Sequence, residues 1–546
     1  MKLFYRSTEE QISLQETMTG IQFVQTFFPE SKKQILLMAI DGEIVSLQDS
    51  IPISASALSF YDISDSIGAN CLAVSTAAIM LRAAAELFPD VNFSIEHSLG
   101  SGYYCLPGDM GQLPPDYLKS LAVKMNELIL RDCPILSRKM KIPDIKNLNQ
   151  GRFQFVEELP GESLAISYVC DRPYWFSVPL VKSTGVIQRF RLHPYGDGFV
   201  LQFPNSDYPD KIPPYRATDK LFHIIRESQN RAKVLGINVI HQLNARAVNG
   251  DYIDSIQLYE ALHEKKIAQI ADQIALGRQE LRFILIAGPS SSGKTSFMKR
   301  LRIQLNINGI KTQTLSLDDY FINRDQVPFD ENGKQDFEHF DTVDHSQLAI
   351  DLNRLMRGEE FCLPRYDFHS GTREYHPQPS RLHTDELLLI EGIHGLNPQL
   401  TGNLPRTRLF KIYISALTQL NFNRHNRVST SDTRLLRRML RDKQFRGYSV
   451  EKTLQMWDSV RAGEGRWIFP YQEEADAMFN SALEYEWAIF RPYLENELSA
   501  IPIDSPVRPN GIRLLRLLEL FHPIPPEMVP PTSLLREFIG GSSFRY

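Results

Sequence analysis

The run Gly288-Pro289-Ser290-Ser291-Ser292-Gly293-Lys294-Thr295 satisfies GxxxxGK[ST] in full, between the apolar stretch RFILIA and the helix-compatible stretch SFMKRLRIQL. The chemistry of such a loop is phosphate binding. Glycines let the chain turn tightly, successive backbone N–H groups then face phosphate oxygens, and the start of the following helix adds positive potential. Lys294 would neutralise the terminal phosphates, Thr295 would offer its hydroxyl to Mg2+, and Ser296 extends the set of loop residues facing the nucleotide. ATP is the implied phosphate donor. The loop by itself does not separate a kinase from a hydrolase or a nucleotide-driven switch, because all three use the same cradle.

The acceptor side carries the distinction. Ser316-Leu317-Asp318-Asp319-Tyr320-Phe321 follows the apolar segment KTQTLSL as a strand end would, placing a carboxylate where an acceptor hydroxyl could meet the γ-phosphate. Asp318 is the candidate general base, although an Asp-rich turn would look the same. Glu391 ends the run LLLI and could join Thr295 in a metal shell, directly or through water. The segment DTRLLRRMLRDKQFRG, from Asp432 to Gly447, puts Arg434, Arg438 and Arg441 at i, i+4 and i+7 on one helical face, a stripe able to close over phosphates. A solvated charged face has the same spacing.

These residues need a frame. The short apolar runs RFILIA and ELLLI have the character of strands buried on both faces of a parallel sheet, so the expected fold is α/β, a P-loop domain with a parallel sheet and flanking helices. Helical periodicity over 226–275 reads as a connector, 276–500 as the P-loop domain, and the Pro-rich stretch within 501–546 as a helical tail that packs loosely or frays. Upstream, 34–60 alternates β-prone runs around the turn pair Asp41-Gly42, and an Ala-rich helix is expected from Cys71 to Leu87, closed by Pro89-Asp90.

The chain has 546 residues, which implies roughly three or four domains. Sixty basic against sixty-five acidic residues give a net charge of -5, which argues against wholesale electrostatic binding to nucleic acid. Five scattered cysteines form no CxxC and suggest neither a disulfide framework nor a zinc cluster. MKLFYRSTEEQ lacks the apolar stretch of a secretory signal, and no window is expected to reach the roughly 18 apolar residues of a membrane span. A cytoplasmic location with no membrane partner is the expectation. Oligomeric state is left open.

In order along the chain, GPSSSGKTS, SLDDYF, DFEHFDTVD, PRYDFHSGTR, LIEGIHGL and DTRLLRRMLRDKQFRG resemble the motifs of the uridine kinase and phosphoribulokinase family of P-loop kinases, over about residues 280 to 490. The resemblance implies phosphoryl transfer to the 5'-hydroxyl of a nucleoside, with Asp318 as base, Lys294 and Arg441 at the transferred phosphate, and Thr295 and Glu391 serving Mg2+. It implies a lid containing Arg438, Arg441 and Arg446. It also implies substrate contacts from Glu338, Tyr366, Phe368, Arg373, Arg438 and Arg446. Three positions depart from uridine-cytidine kinases: Glu338 replaces Asp, Gly371 stands where a base-contacting His is expected, with His369 two residues earlier, and Tyr448 replaces a substrate-side Arg. The base identity is therefore open, and another small sugar-like alcohol is the alternative acceptor.

The N-terminal half carries a second resemblance. IDGEIVSLQDSI resembles a degenerate TGS β-grasp domain (1–65), while VSTAAIMLRAAAELFP and PLVKSTGVIQRFRL resemble the editing domain of threonyl-tRNA synthetase (66–225). Two α+β modules would thus precede the P-loop domain. Val74, Ala78, Phe176 and Leu180 stand where that editing domain carries its metal-type His and Cys set, so its hydrolytic chemistry is not expected here. A nucleotide-gated module binding RNA is the alternative from another class, disfavoured by the absence of a strongly basic N-terminal composition.

Overall fold

The computed structural model describes residues 1–5, 8–31, 34–108, 113–148, 153–329, 333, 335–367, 370–402 and 404–545. Phe368 and His369 lie outside the described residues.

The first module is a five-stranded sheet in the order Thr8–Gln11, Lys2–Tyr5, Ala57–Tyr61, Leu37–Ile40, Glu43–Ser46, with the helix Gly20–Phe27 packed on it. Asp41 and Gly42 form the expected tight turn, both at positive φ (53° and 94°), the conformation a two-residue hairpin needs to match strand twist. The Ala-rich helix runs Ser66–Leu87, starting five residues before the sequence pattern announced it. It packs against the strands Ser94–Leu99 and Gly102–Leu106 and the helix Tyr117–Arg131 in one apolar core. Contrary to expectation, an 18-residue window of this helix is apolar enough to cross a membrane, with mean hydropathy 1.5. Because 78% of that window is buried inside the protein, core packing accounts for its composition.

Ala78, Phe176 and Leu180 are buried in that same core and Val74 packs against it, so these four positions meet as an apolar cluster. Three helices, Asp219–Leu235, Ile240–Asn249 and Tyr252–Leu276, then lead to the second half.

That half is built on five parallel strands: β1 (Phe283–Ala287), β2 (Lys311–Ser316), β3 (Glu386–Glu391), β4 (Leu409–Ser415) and β5 (Ala477–Asn480), in the order β2-β3-β1-β4-β5. Every residue of β1 is fully buried, as a central strand covered on both faces requires. The helices Lys294–Ile307 and Tyr252–Leu276 cover one face, and His345–Met356 the other. The connections place the phosphate loop, the Asp318 turn and Glu391 together at the carboxyl ends of β1, β2 and β3, where open α/β sheets bind ligands.

The tail corrects the sequence reading. It does not fray: Leu534 and Leu535 are 0% exposed and Phe538 1%, inside the core of the P-loop half. Prolines cluster at 523–531, but three apolar side chains around the four-residue helix Arg536–Ile539 anchor it.

Candidate functional site

The loop from Gly288 to Gly293 leaves β1 and enters the helix Lys294–Ile307, whose first N–H groups have no partner within the helix. Ser291 (φ 58°) and Gly293 (φ 85°) take left-handed conformations that fold the backbone around a central point. The hydroxyls of Ser291 and Ser292 are buried with no hydrogen-bond partner, as is Nε of Arg441. Orphaned donors converging on one loop are what a phosphate would satisfy, so the chemistry of the residues fits the phosphates of a nucleotide. Lys294 Nζ donates to the carbonyls of Gly288 (3.1 Å) and Pro289 (3.3 Å), and burial lowers its pKa against the pull of Glu391 and Asp318.

Thr295 Oγ1 donates to Glu391 Oε1 at 2.9 Å, joining the two residues assigned to a metal from sequence. One hydroxyl and one carboxylate beside phosphate oxygens suit a cation that keeps much of its water. Burial pushes Glu391 up to about 7 despite Lys294, so a cation there would favour its ionised form.

Asp318 sits in the 3-10 turn Leu317–Tyr320 directly after β2, with Ser316 Oγ accepting from its N–H at 3.3 Å. Burial raises its pKa, while the charges of Lys294, Arg446 and Arg441 lower it. Asp319 is turned elsewhere: its Oδ1 accepts from the N–H of Tyr366 at 3.3 Å.

The arginine helix spans Thr430–Arg446. Arg438 donates to Ser290 Oγ (2.8 Å) and lies 3.9 Å from Glu338, which burial pushes up to about 7. Arg441 approaches Ser290 Oγ at 3.5 Å, and burial lowers it to about 10. Arg446 pairs with Asp442 at 3.3 Å. The close approach of Glu338 requires glycine at 463, where a Cβ would lie 2.4 Å from the Glu338 Cβ. Two assigned substrate residues are held structurally: Arg373 pairs with Asp344 at 2.9 Å, and the ring of Tyr366, 9% exposed, meets Phe321 edge-on at 5.6 Å.

Two carboxylates bound to the loop had not been anticipated. Glu464 Oε1 accepts from the N–H of Ser290 at 3.1 Å and from Arg434, whose Nε also donates to the Ser290 carbonyl at 3.1 Å, a fully buried strut behind the loop. Glu537 Oε2, from the tail, accepts from the N–H (3.2 Å) and Oγ (2.6 Å) of Ser296, while Leu534 presses on Gly293. No local pattern marks either residue, since the partners lie 174 and 241 positions away.

Glu537 therefore holds a donor of the helix N-terminus that a phosphate would use. Glu537→Gln, which keeps the shape and removes the charge, is expected to tighten ATP binding about tenfold, with kcat within a factor of two. Calorimetric titration with ATP measures this. Weaker binding in the variant would instead make Glu537 part of the nucleotide's own binding set.

The parallel sheet, phosphate loop, strand-end carboxylates and arginine helix define a P-loop phosphotransferase. Residues 283–486 match the Phosphoribulokinase / Uridine kinase family. The uridine kinase of Macrococcus caseolyticus is 29% identical over 192 residues, 35% of this chain and 84% of that protein. The uridine kinase of Chloroflexus aurantiacus is 28% identical over 195 residues, with 36% and 84% covered. A solved D-glycerate 3-kinase from Cryptococcus neoformans var. grubii covers 47% of this chain and 88% of its own, at 17% identity and a TM-score of 0.22.

Proposed function

We propose that this chain transfers the γ-phosphate of ATP to the 5'-hydroxyl of a nucleoside, uridine or cytidine. The observation that carries the reading is the placement of Asp318, in the turn directly after β2, at the same end of the sheet as the phosphate loop and Glu391. Two curated relatives named uridine kinase, each matched over 84% of its length, supply the acceptor class.

Asp318 takes the proton of the acceptor hydroxyl as its oxygen bonds to the γ-phosphorus and the bond to the β,γ-bridging oxygen breaks, leaving ADP. Lys294 and the arginine helix balance charge on the transferred phosphoryl group. Mg2+ would be held by Thr295, with Glu391 beside it, and would neutralise phosphate charge. Arg438 and Arg441, held at Ser290 by a helix packed in the core, shield the transferred phosphoryl group from water and so limit wasteful hydrolysis.

Glu338, beside Arg438 and the loop, lines the acceptor side. A second reading, another sugar-like alcohol as acceptor, is favoured by Gly371 and by Tyr448, which is 43% exposed where a substrate-side arginine was expected. The N-terminal modules, 1–65 and 66–225, are read as a brace without chemistry of their own, joined to the kinase domain (276–500) through the connector 226–275 and flanked by the tail 501–546.

Coupled ATP turnover with uridine, cytidine, purine nucleosides and ribulose 5-phosphate, products identified by mass, tests the assignment. Uridine or cytidine is expected to stimulate turnover at least tenfold over the acceptor-free rate, as a positioned acceptor hydroxyl reacts faster than water. Stimulation by ribulose 5-phosphate alone transfers the assignment to the sugar-alcohol reading, and stimulation by none of them overturns the nucleoside assignment.

A further inference from the structure

A cavity of about 590 Å3 lies at the seam between the two halves, behind the arginine helix and apart from the phosphate loop. Its volume is in the range of small-molecule sites. The N-terminal half contributes His97 and Arg216, and the P-loop half Arg427, Arg434, Arg461 and Gln419. The first residues of the arginine helix, Thr430 and Ser431, complete the wall and bring the positive end of a 17-residue helix to it.

The charges on this wall are unbalanced. Arg216 is exposed and has no carboxylate partner among the described residues, and Arg427 rests over the ring of Tyr103 at 5.3 Å. Of the two acids in the lining, Glu473 is already engaged by the N–H groups of Lys220 (2.9 Å) and Leu221 (3.2 Å), which leaves Asp207.

Two polar side chains of the wall are more than nine-tenths buried and incompletely bonded. His97, 7% exposed, has an unpartnered Nε2, and burial with the nearby charge of Arg427 lowers its pKa to about 3, so the ring is neutral. Gln419, 3% exposed, donates to the Leu417 carbonyl at 2.6 Å, but its Oε1 accepts nothing. A buried acceptor left open beside arginines asks for a ligand with both an anionic group and an O–H or N–H donor.

We propose that this seam is an effector site for a small phosphorylated metabolite, its phosphate held by Arg216, Arg427 and the helix N-terminus and a hydroxyl or amino group bonded to Gln419. Occupancy reaches the loop by a short route. Arg461 lies 3.5 Å from Glu464 Oε2, and Glu464 with Arg434 holds Ser290. An anion held on this wall draws Arg461, which lines it too, away from Glu464 and so alters the strut behind the phosphate loop. The inference rests on the cavity and is independent of which acceptor the kinase uses.

The test separates this site from the loop, which also binds phosphates. Inorganic pyrophosphate is titrated calorimetrically into the full chain carrying Lys294→Ala, and into the same chain with Arg216→Ala and Arg427→Ala added. One binding event is expected to persist in the first and to weaken at least tenfold in the second. Absence of binding in the first, or indifference to loss of both arginines, overturns the proposal. Should the triple variant fail to fold, Arg216→Ala alone on the Lys294→Ala background serves, because that side chain is exposed; there a threefold or greater weakening supports the site and unchanged binding rejects it.

Discussion

Replacing Lys294 with alanine is expected to lower kcat/KM for phosphoryl transfer about 10^3-fold, the scale on which a preorganised charge at the reacting group acts. The ammonium is held by the carbonyls of Gly288 and Pro289, so it is already aimed into the loop before nucleotide arrives. Its neighbours Glu391 and Asp318 are acidic, and without Lys294 the loop meets a polyphosphate with two carboxylates and one cation fewer. Lys294→Arg is not expected to restore the rate, because a planar fork cannot replace a point charge bonded to two carbonyls. Initial rates with saturating acceptor, alongside a thermal melt to exclude unfolding, decide the matter. A variant within threefold of the parent would remove Lys294 from the mechanism.

Residues of the phosphate site were legible where chemistry and local pattern coincide. The loop follows a strand whose five residues are all fully buried, and a run such as FILIA has few other uses, so sequence located both. The arginine helix was legible too, but the roles of its members were not. Spacing put Arg434 with Arg438 and Arg441 on the stripe expected to close over phosphates and left Arg437 off it, yet both Arg434 and Arg437 are fully buried and paired with Glu464 and Glu486. Such pairs join distant segments, and only the fold reveals that a carboxylate waits for each.

The tail shows the same limit from the other side. The cluster of prolines around 523–531 suggests a loose end, whereas the structure there depends on Leu534, Leu535 and Phe538, and its chemical interest on Glu537. In the N-terminal half, the parallel pairing of Lys2–Tyr5 with Ala57–Tyr61 joins segments more than fifty residues apart, which no local alternation encodes.

Asp318→Asn is expected to cost 10^2- to 10^4-fold in kcat, the usual span for a positioned general base, with ATP affinity within about threefold of the parent. Asparagine keeps the size and the hydrogen bond from the backbone N–H to Ser316 but cannot take a proton. The pH dependence carries the sharper test. The base works only when ionised, and burial holds the Asp318 pKa above its ordinary value, so kcat/KM should fall with acid starting from above the usual aspartate range. Glu391, pushed up to about 7, adds an acid limb of its own, which saturating Mg2+ should shift downward because the cation stabilises its ionised form. The limb that persists at saturating Mg2+ is then the base's, and it should vanish from the residual activity of Asp318→Asn. Were that limb to survive in the variant and to disappear in Asp319→Asn instead, the proton would belong to Asp319, whose bond to the Tyr366 N–H would then have to break on acceptor binding.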